Sequence, residues 1–272
     1  MQRALENAFA ELILGAPLDP NDAGALASFF ARHGVVPEDA AAVREEIGRL
    51  LVYRKLVQGT LRDAIELAIP RSVARLGPLF DEYFARFLAE RGPRTHYLRD
   101  VTTELLDFCA KLWPADARAP AYLMELARLE ALRIEIAAAP PRKEPEALSE
   151  LALDAGLSFS EAQRLLHFEY RVHELSESLD DRSPPAPGPT ELLVYRSPDH
   201  MVRYLELTPL AAAIVARLRA GESLKDSLIT ATRAAQAELD DATLSGAATL
   251  LADLSARGVV LGPCPARAAN QA

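Results

Sequence analysis

The sequence has few cysteines and aromatic residues, and no long apolar run. Cys109 and Cys264 are the only cysteines, and neither belongs to a CxxC pair. A disulfide between them is possible in principle, but the pattern favours two reduced thiols in a cytosolic protein. No stretch approaches the roughly 18 apolar residues of a membrane span, and residues 1–15 lack the basic and apolar regions of a signal peptide. We therefore expect a cytoplasmic protein with no membrane segment.

Motifs that bring catalytic or metal chemistry are also missing. None of the five histidines stands in an HxxxH or HExxH arrangement, so no helix presents a local metal site. The nucleophile motif GxSxG and the phosphate-binding motifs GxGxxG and GxxxxGK[ST] do not occur. Cys109 lies in an apolar stretch, which predicts a buried structural thiol. We expect no catalytic residue, no metal site and no cofactor bound by this chain.

Basic residues are outnumbered by acidic ones. The chain has 30 Lys and Arg against 39 Asp and Glu, for a net charge of −9. That excess argues against a general affinity for nucleic acid, which needs clustered cations to displace counterions. The excess is concentrated in residues 1–188, with 22 basic and 30 acidic side chains, whereas residues 189–272 have 8 and 9. A local basic face in the C-terminal part is not excluded.

Residues 1–150 are predicted to form a bundle of about five helices. A short helical run ends at Leu14, and a loop rich in Pro, Asp and Gly follows up to residue 36. Apolar residues at a period of 3.6 predict a long helix from Pro37 to the residues before Pro70. Glycine and proline residues mark the ends of the remaining predicted helices. These helices lie between Gly77-Pro78 and Gly92-Pro93, at 97–112 and at 120–139.

Residues 151–262 are predicted to form a small α+β domain. Val, Leu and Tyr alternate with polar residues on both sides of Pro198-Asp199, which is the pattern of a β-hairpin over 191–207. Three helices and a short strand at 259–261 follow, an order that suits a winged-helix-like module. The Pro-rich stretch 183–189 is predicted to be a stiff loop within this domain, and 263–272 a disordered tail. The predicted fold class is mainly α with a small β-sheet.

Residues 157–175 fit two structures. Ser158-x-x-Glu161 resembles the capping box of a helix running to Leu179. The alternation of apolar and polar residues from Leu166 to Val172 instead predicts a strand. In the second case the strand would join the hairpin to make a three-stranded sheet.

Tyr53-Arg54 lies in the longest predicted helix, with Arg54 among apolar residues. One interpretation is an arginine whose stem covers the core and whose head pairs with a carboxylate, with Glu130 as a candidate. The other is a direct contact of Tyr53 and Arg54 with a partner protein.

The order of several motifs resembles the HvfC/BufC family, whose members are often labelled as DNA-binding-domain proteins. The resemblance covers about residues 43–261, and its C-terminal part includes the hairpin and the helices that follow it. The N-terminal motifs are Tyr53-Arg54, Leu61, Ile69-Pro70, Leu76-Gly77, and the run from Tyr122-Leu123 to Leu129-Glu130. Two steps differ, because Ile69 stands where the family has Phe and Arg171 stands where it has Pro.

The resemblance implies a non-catalytic partner subunit of a multinuclear non-haem iron oxidase that modifies ribosomally made peptides. The iron ligands would belong to the oxidase, and this chain would present the leader of the precursor peptide. An open edge of the small sheet could take up such a peptide, with Leu193, Tyr195 and Tyr204 as the predicted pocket residues. A DNA-binding transcriptional regulator and an enzyme with a dispersed site are the alternatives.

Overall fold

The structure is a computed structural model that describes residues 2–15, 18–140 and 152–266. The chain divides into two compact units. The first comprises residues 1–131 and 176–182, and the second comprises 132–175 and 183–272. The domain boundary predicted at residue 150 stays a prediction.

The first unit is helical. Proline begins three of its helices, where the missing N–H costs no hydrogen bond. Helix α8 begins in this unit and continues into the second. The helices are α1 (Gln2–Leu14), α2 (Ala23–Arg32), α3 (Pro37–Glu45), α4 (Ile47–Ala68), α5 (Pro70–Leu76), α6 (Pro78–Glu90), α7 (Leu98–Cys109) and α8 (Leu123–Ala138).

Two features of this unit differ from the sequence prediction. The stretch predicted as a loop contains α2, whose first turn is capped by the Asp22 carboxylate accepting from the Ala25 N–H at 2.9 Å. Phe29 and Phe30 of that helix are buried against α1 residues including Leu12. The predicted long helix is broken at Glu46 into α3 and α4. The sequence prediction missed this short amphipathic helix because proline and glycine lie around it and its apolar face is only a few residues wide.

In its described residues, the second unit holds two small antiparallel sheets, three complete helices and the end of α8. Strand β1 (Gly156–Phe159) pairs with β5 (Val260–Cys264), and the other sheet has the order β2-β3-β4. Its strands are β2 (Gln163–Tyr170), β3 (Pro187–Arg196) and β4 (Val202–Leu207). The helices are α9 (Pro209–Ala220), α10 (Leu224–Ala234) and α11 (Asp241–Ala256). The predicted class, mainly α with a small β-sheet, is confirmed, whereas the winged-helix-like detail stays a prediction.

The stretch that fitted both helix and strand forms strands β1 and β2. Period-2 burial explains the outcome, because Phe168 is buried while His167 and Glu169 are exposed. Strand β2 joins the hairpin, so the predicted three-stranded sheet is confirmed. The Pro-rich loop ends earlier than expected, since β3 begins at Pro187.

Strand β5 extends into the segment predicted as a tail. Pro263 and Cys264 pair with Leu157 and Gly156 of β1, and these backbone hydrogen bonds fix residues that composition alone assigned to disorder. Residues 267–272 lie outside the described residues.

One face of the three-stranded sheet packs on α9, α10 and α11. Leu193 and Tyr195 of β3 share a buried cluster with Val215 and Leu218 of α9 and Leu251 of α11. Capping side chains define the helix starts: Thr208, Ser223 and Asp240 each accept a hydrogen bond from a backbone N–H in the first turn. Burial of these helices on the sheet positions the strand edges described next.

Candidate functional site

Strand β4 forms an open edge of the three-stranded sheet. Strand β3 is paired on both sides, with β2 and with β4, so its backbone groups are already used. Within residues 152–266, no strand pairs with the outer side of β4. The β3–β4 pairing is regular over six residue pairs, from Glu191–Leu207 to Arg196–Val202. A regular edge of this length, beside which no described strand lies, can take up an added strand.

The register shows which backbone groups of β4 point outward. Ser197 N–H donates to the Met201 carbonyl at 2.9 Å, which marks Ser197 and Met201 as a hydrogen-bonded pair. Hydrogen-bonded pairs alternate along an antiparallel ladder. Arg203, Leu205 and Leu207 therefore direct their N–H and C=O groups towards β3. The outward groups belong to Val202, Tyr204 and Glu206.

The outer edge of β2 is less regular. The register of β2 against β3 shifts between Phe168 and Tyr170. Such irregularities bend a strand and interrupt pairing, and they often protect an edge from added strands. Of the two edges of this sheet, β4 is therefore the better template for another extended chain.

A groove with a volume of about 610 Å³ lies at the end of β4. Its lining comes from all three strands and from the start of α9, namely His167, Pro189, Glu191, Glu206, Leu207, Thr208 and Pro209. Two carboxylates and one imidazole lie among apolar and proline side chains. The groove can therefore enclose the apolar part of a side chain and contact a polar end.

Hydrogen bonds order the polar groups of this groove. His167 Nδ1 lies 2.7 Å from Glu191 Oε1, and its Nε2 lies 3.2 Å from Glu169 Oε1. The Glu191 carboxylate, and then that of Glu169, raises the pKa of His167 above its ordinary value. Glu206 accepts two hydrogen bonds from Arg171, at 3.0 and 2.7 Å, and Arg171 lowers the pKa of Glu206. The groove thus contains an imidazole that is hydrogen-bonded to one of its two carboxylates, Glu191, while the other, Glu206, is bonded to Arg171.

The three residues predicted to form peptide pockets do not share one environment in the structure. Leu193 and Tyr195 are 0% and 1% exposed and belong to the core of the second unit. The Tyr195 hydroxyl accepts a hydrogen bond from Arg257 Nη1 at 2.8 Å. A peptide along a sheet edge does not reach these two side chains, because β3 is the central strand and its consecutive residues 192–195 are all buried. Tyr204 lies on β4 and is half-buried.

Arg54 does not pair with Glu130, contrary to the sequence interpretation. Its Nη1 donates to the Leu12 carbonyl at 2.5 Å and its Nη2 to the Gly15 carbonyl at 2.6 Å. These carbonyls lie at the end of α1, where the last turn of a helix leaves acceptors without partners. Arg54 therefore caps the C-terminus of α1 and ties it to α4, and burial lowers its pKa. Its neighbour Tyr53 is 54% exposed.

Glu130 caps the N-terminus of α5. Its Oε1 accepts from the Arg71 N–H at 3.0 Å and from Arg71 Nε at 3.1 Å. Its Oε2 accepts from the Ser72 N–H at 3.0 Å and from Ser72 Oγ at 2.7 Å. Ile69, at the N-cap position, offers no capping side chain, so a carboxylate from α8 takes that role. Glu130 is 3% exposed and structural.

Cys109 is not an accessible thiol. Cys109 is fully buried, and this burial raises the pKa of its thiol to about 12. Across residues 2–15, 18–140 and 152–266, no group of three or more His, Cys, Asp or Glu side chains has the geometry to hold a metal ion. None of the described helices is long and apolar enough to cross a bilayer.

Comparison with known proteins identifies the region around the open edge. Residues 160–255 match the HvfC C-terminal domain, a span that contains β2, β3, β4 and the helices packed on them. No curated protein matches the chain. The motifs of residues 43–139 that resemble the family remain a sequence prediction. The match over residues 160–255 supports the membership of this chain in the HvfC family.

Proposed function

We propose that this chain is a non-catalytic partner subunit of a multinuclear non-haem iron oxidase and presents the leader of a ribosomally made precursor peptide for modification in the cytoplasm. The open edge of β4, inside the span that matches the HvfC C-terminal domain, is the observation that carries the proposal. The roles of the oxidase and the peptide are inferred from the resemblance of the chain to the HvfC/BufC family. The iron belongs to the oxidase.

The leader binds as an extended strand against β4 in this proposal. Main-chain hydrogen bonds to Val202, Tyr204 and Glu206 supply the affinity. Side chains of the leader alternate between the two faces of the sheet, so every second one lies beside Tyr204 or Glu206. At the end of β4, the groove that contains His167 and Glu191 takes one leader side chain and fixes the register.

The DNA-binding alternative has less support from the charges. Helix α11, which follows two shorter helices as a recognition helix would, contains no Lys or Arg. Helix α10 has only Lys225 and Arg233. Phosphate contacts require several cations on one face, so these helices make a poor nucleic-acid interface.

Residue-resolved hydrogen exchange of the full-length chain with a synthetic leader peptide tests the proposal. We expect the amides of Val202, Tyr204 and Glu206 to slow on binding. The amides of Arg203, Leu205 and Leu207 should change little, because they already donate to β3. Protection confined to residues 43–139 would place the peptide on the helical unit and contradict the proposal. Co-expression with the oxidase tests the other half, since an iron-containing complex should co-purify on a tag placed on this chain.

A further inference from the structure

Helix α4 has an apolar stripe on its exposed side. Val52, Leu56 and Leu67 are 59%, 63% and 81% exposed, and Tyr53 beside them is 54% exposed. The opposite side of α4 is ordinary core, with Leu61 and Ile65 buried. A surface helix normally presents polar residues to solvent, so large apolar side chains on both sides of α4 indicate a surface that another chain covers.

The stripe is symmetric about the middle of the helix. Val52, Leu56, Asp63 and Leu67 follow one another at spacings of four, seven and four residues, which places them on one face of an α-helix. Their common midpoint lies between Gly59 and Thr60. Val52 and Leu67 are equally far from it, as are Leu56 and Asp63. An antiparallel copy of α4 therefore places each Val52 beside the Leu67 of the other copy.

The midpoint permits close approach of two helices. Apart from its chain neighbours and the backbone of its own helix, no heavy atom lies within 4 Å of the position that a Cβ on Gly59 would occupy. Thr60, its neighbour, is exposed and directs its hydroxyl back to the Leu56 carbonyl at 2.9 Å. A small residue at a crossing point lets the backbones come together and lets the larger residues on both sides interlock.

Charges at the margin of the stripe are also self-complementary. Lys55 and Asp63 are exposed, and no ion pair within the described residues involves either of them. The nearby Arg62 is held instead by Glu66 and Asp81. In the antiparallel arrangement Lys55 of one copy lies at the level of Asp63 of the other, so two ion pairs form across the symmetry axis.

We propose that a second copy of this chain covers the stripe, with two α4 helices packed antiparallel about a two-fold axis near Gly59. Such an interface is isologous and closes as a dimer, so it does not extend into a fibre. A stable interface buries roughly 800 Å² per partner, more than a few side chains of one helix provide. The dimer is therefore weak and concentration-dependent.

Sedimentation equilibrium over a range of concentrations is the primary test. The full-length chain should shift from its 29.6 kDa mass towards twice that mass as concentration rises. Leu56→Glu should keep the protein monomeric, because it places a second carboxylate beside Asp63 of the other copy. Leu239→Glu is the matched control, since Leu239 is 44% exposed in the second unit and lies outside the stripe. A monomer at every concentration, or a dimer that survives Leu56→Glu, would overturn the proposal.

Charge reversal and cross-linking test the geometry without relying on apolar variants. Lys55→Glu and Asp63→Lys should each raise the dimer dissociation constant roughly tenfold, since each affects both symmetric pairs. The double variant should restore the dimer. Thr60→Cys should form an intermolecular disulfide under mild oxidation, whereas Glu45→Cys, on α3, should not. Failure of the double variant to restore dimerisation would refute the antiparallel register. Leu56→Glu could also abolish co-purification with the oxidase while its mass by sedimentation equilibrium stays equal to that of the unsubstituted chain. That result would assign this face of α4 to the oxidase and not to a second copy.

Discussion

Two charged side chains, Arg54 and Glu130, tie helix ends of the first unit to neighbouring helices. Arg54 satisfies carbonyls at the end of α1, and Glu130 satisfies N–H groups at the start of α5. Each therefore replaces a local capping residue by a contact distant in sequence. The sequence indicated that both residues matter, because they stand in motifs among apolar residues. It could not indicate their partners, since backbone carbonyls and N–H groups have no residue-type signal.

Glu130→Ala should destabilise the protein by about 3 kcal/mol, because it removes the four hydrogen bonds that this carboxylate accepts from the buried Arg71 and Ser72. Arg54→Ala should also destabilise it through the loss of two hydrogen bonds. The two residues share no partner, so the losses should add in the double variant. Urea denaturation of the three variants measures this, and an interaction energy well above about 0.5 kcal/mol would show a coupling that these contacts do not provide.

The stability of the protein should fall at alkaline pH. Burial raises the pKa of Cys109 to about 12, and burial together with the hydrogen bond to Asp116 raises that of Tyr83 to about 12. Both groups are neutral when protonated, so their contribution is complete below their unfolded pKa values and is lost as the pH rises towards 12. Urea denaturation at neutral pH and at roughly pH 10.5 should show the loss. Cys109→Ala should reduce this loss of stability.

At the scale of single elements, periodicity predicted most helices and the hairpin but gave two answers for 157–175. The capping-box pattern there is local, whereas the pairing of Leu165 with Leu193 joins residues far apart in sequence. Strand propensity depends on such neighbours, so this part of the sheet had to come from the structure. The open edge was predicted, but which strand forms it was not. Strand β3 is central because β2 supplies the other side.

Proline at Glu206 should weaken peptide binding without unfolding the sheet. The N–H of Glu206 points outward, and edge strands tolerate proline where the lost donor faces solvent. Glu206→Ala is the matched control, because it also loses the ion pair with Arg171 but keeps the N–H. Fluorescence anisotropy with a labelled leader should show weaker binding for the proline variant than for the alanine variant. Equal affinities of the two variants would mean that the Glu206 N–H makes no contact with the peptide. Leu205→Pro should instead unfold the sheet, because the N–H of Leu205 points towards β3.

At the scale of the whole molecule, helix α8 belongs to both units. Within the second unit, Arg196 donates to the carbonyls of Ala137, Ala139 and Pro140 at 2.7–2.9 Å. Arg164 also donates to Glu135. The end of α8 is therefore part of the fold that contains the sheet, which residue composition around position 150 did not reveal.

A fragment of residues 132–266 should be more stable than a fragment of residues 152–266. The longer fragment keeps Glu135 and the three carbonyls, and the shorter one leaves Arg164 and Arg196 without these acceptors. Thermal denaturation followed by circular dichroism should give the longer fragment the higher Tm. Arg196→Ala should narrow the difference between the fragments. Equal Tm values would mean that the end of α8 adds nothing to the second unit.

The alternation of backbone groups along β4 has a consequence for chemical inhibition. A strand bound at this edge uses only every second amide of its own main chain to reach Val202, Tyr204 and Glu206. Methyl groups on the other amides would face away from the protein and would prevent a further strand from pairing with the bound peptide. Two synthetic peptides of identical sequence could therefore be methylated on alternate sets of amides. The peptide methylated on the amides that face away from β4 would bind, and the peptide methylated on the amides that face β4 would serve as an inert control.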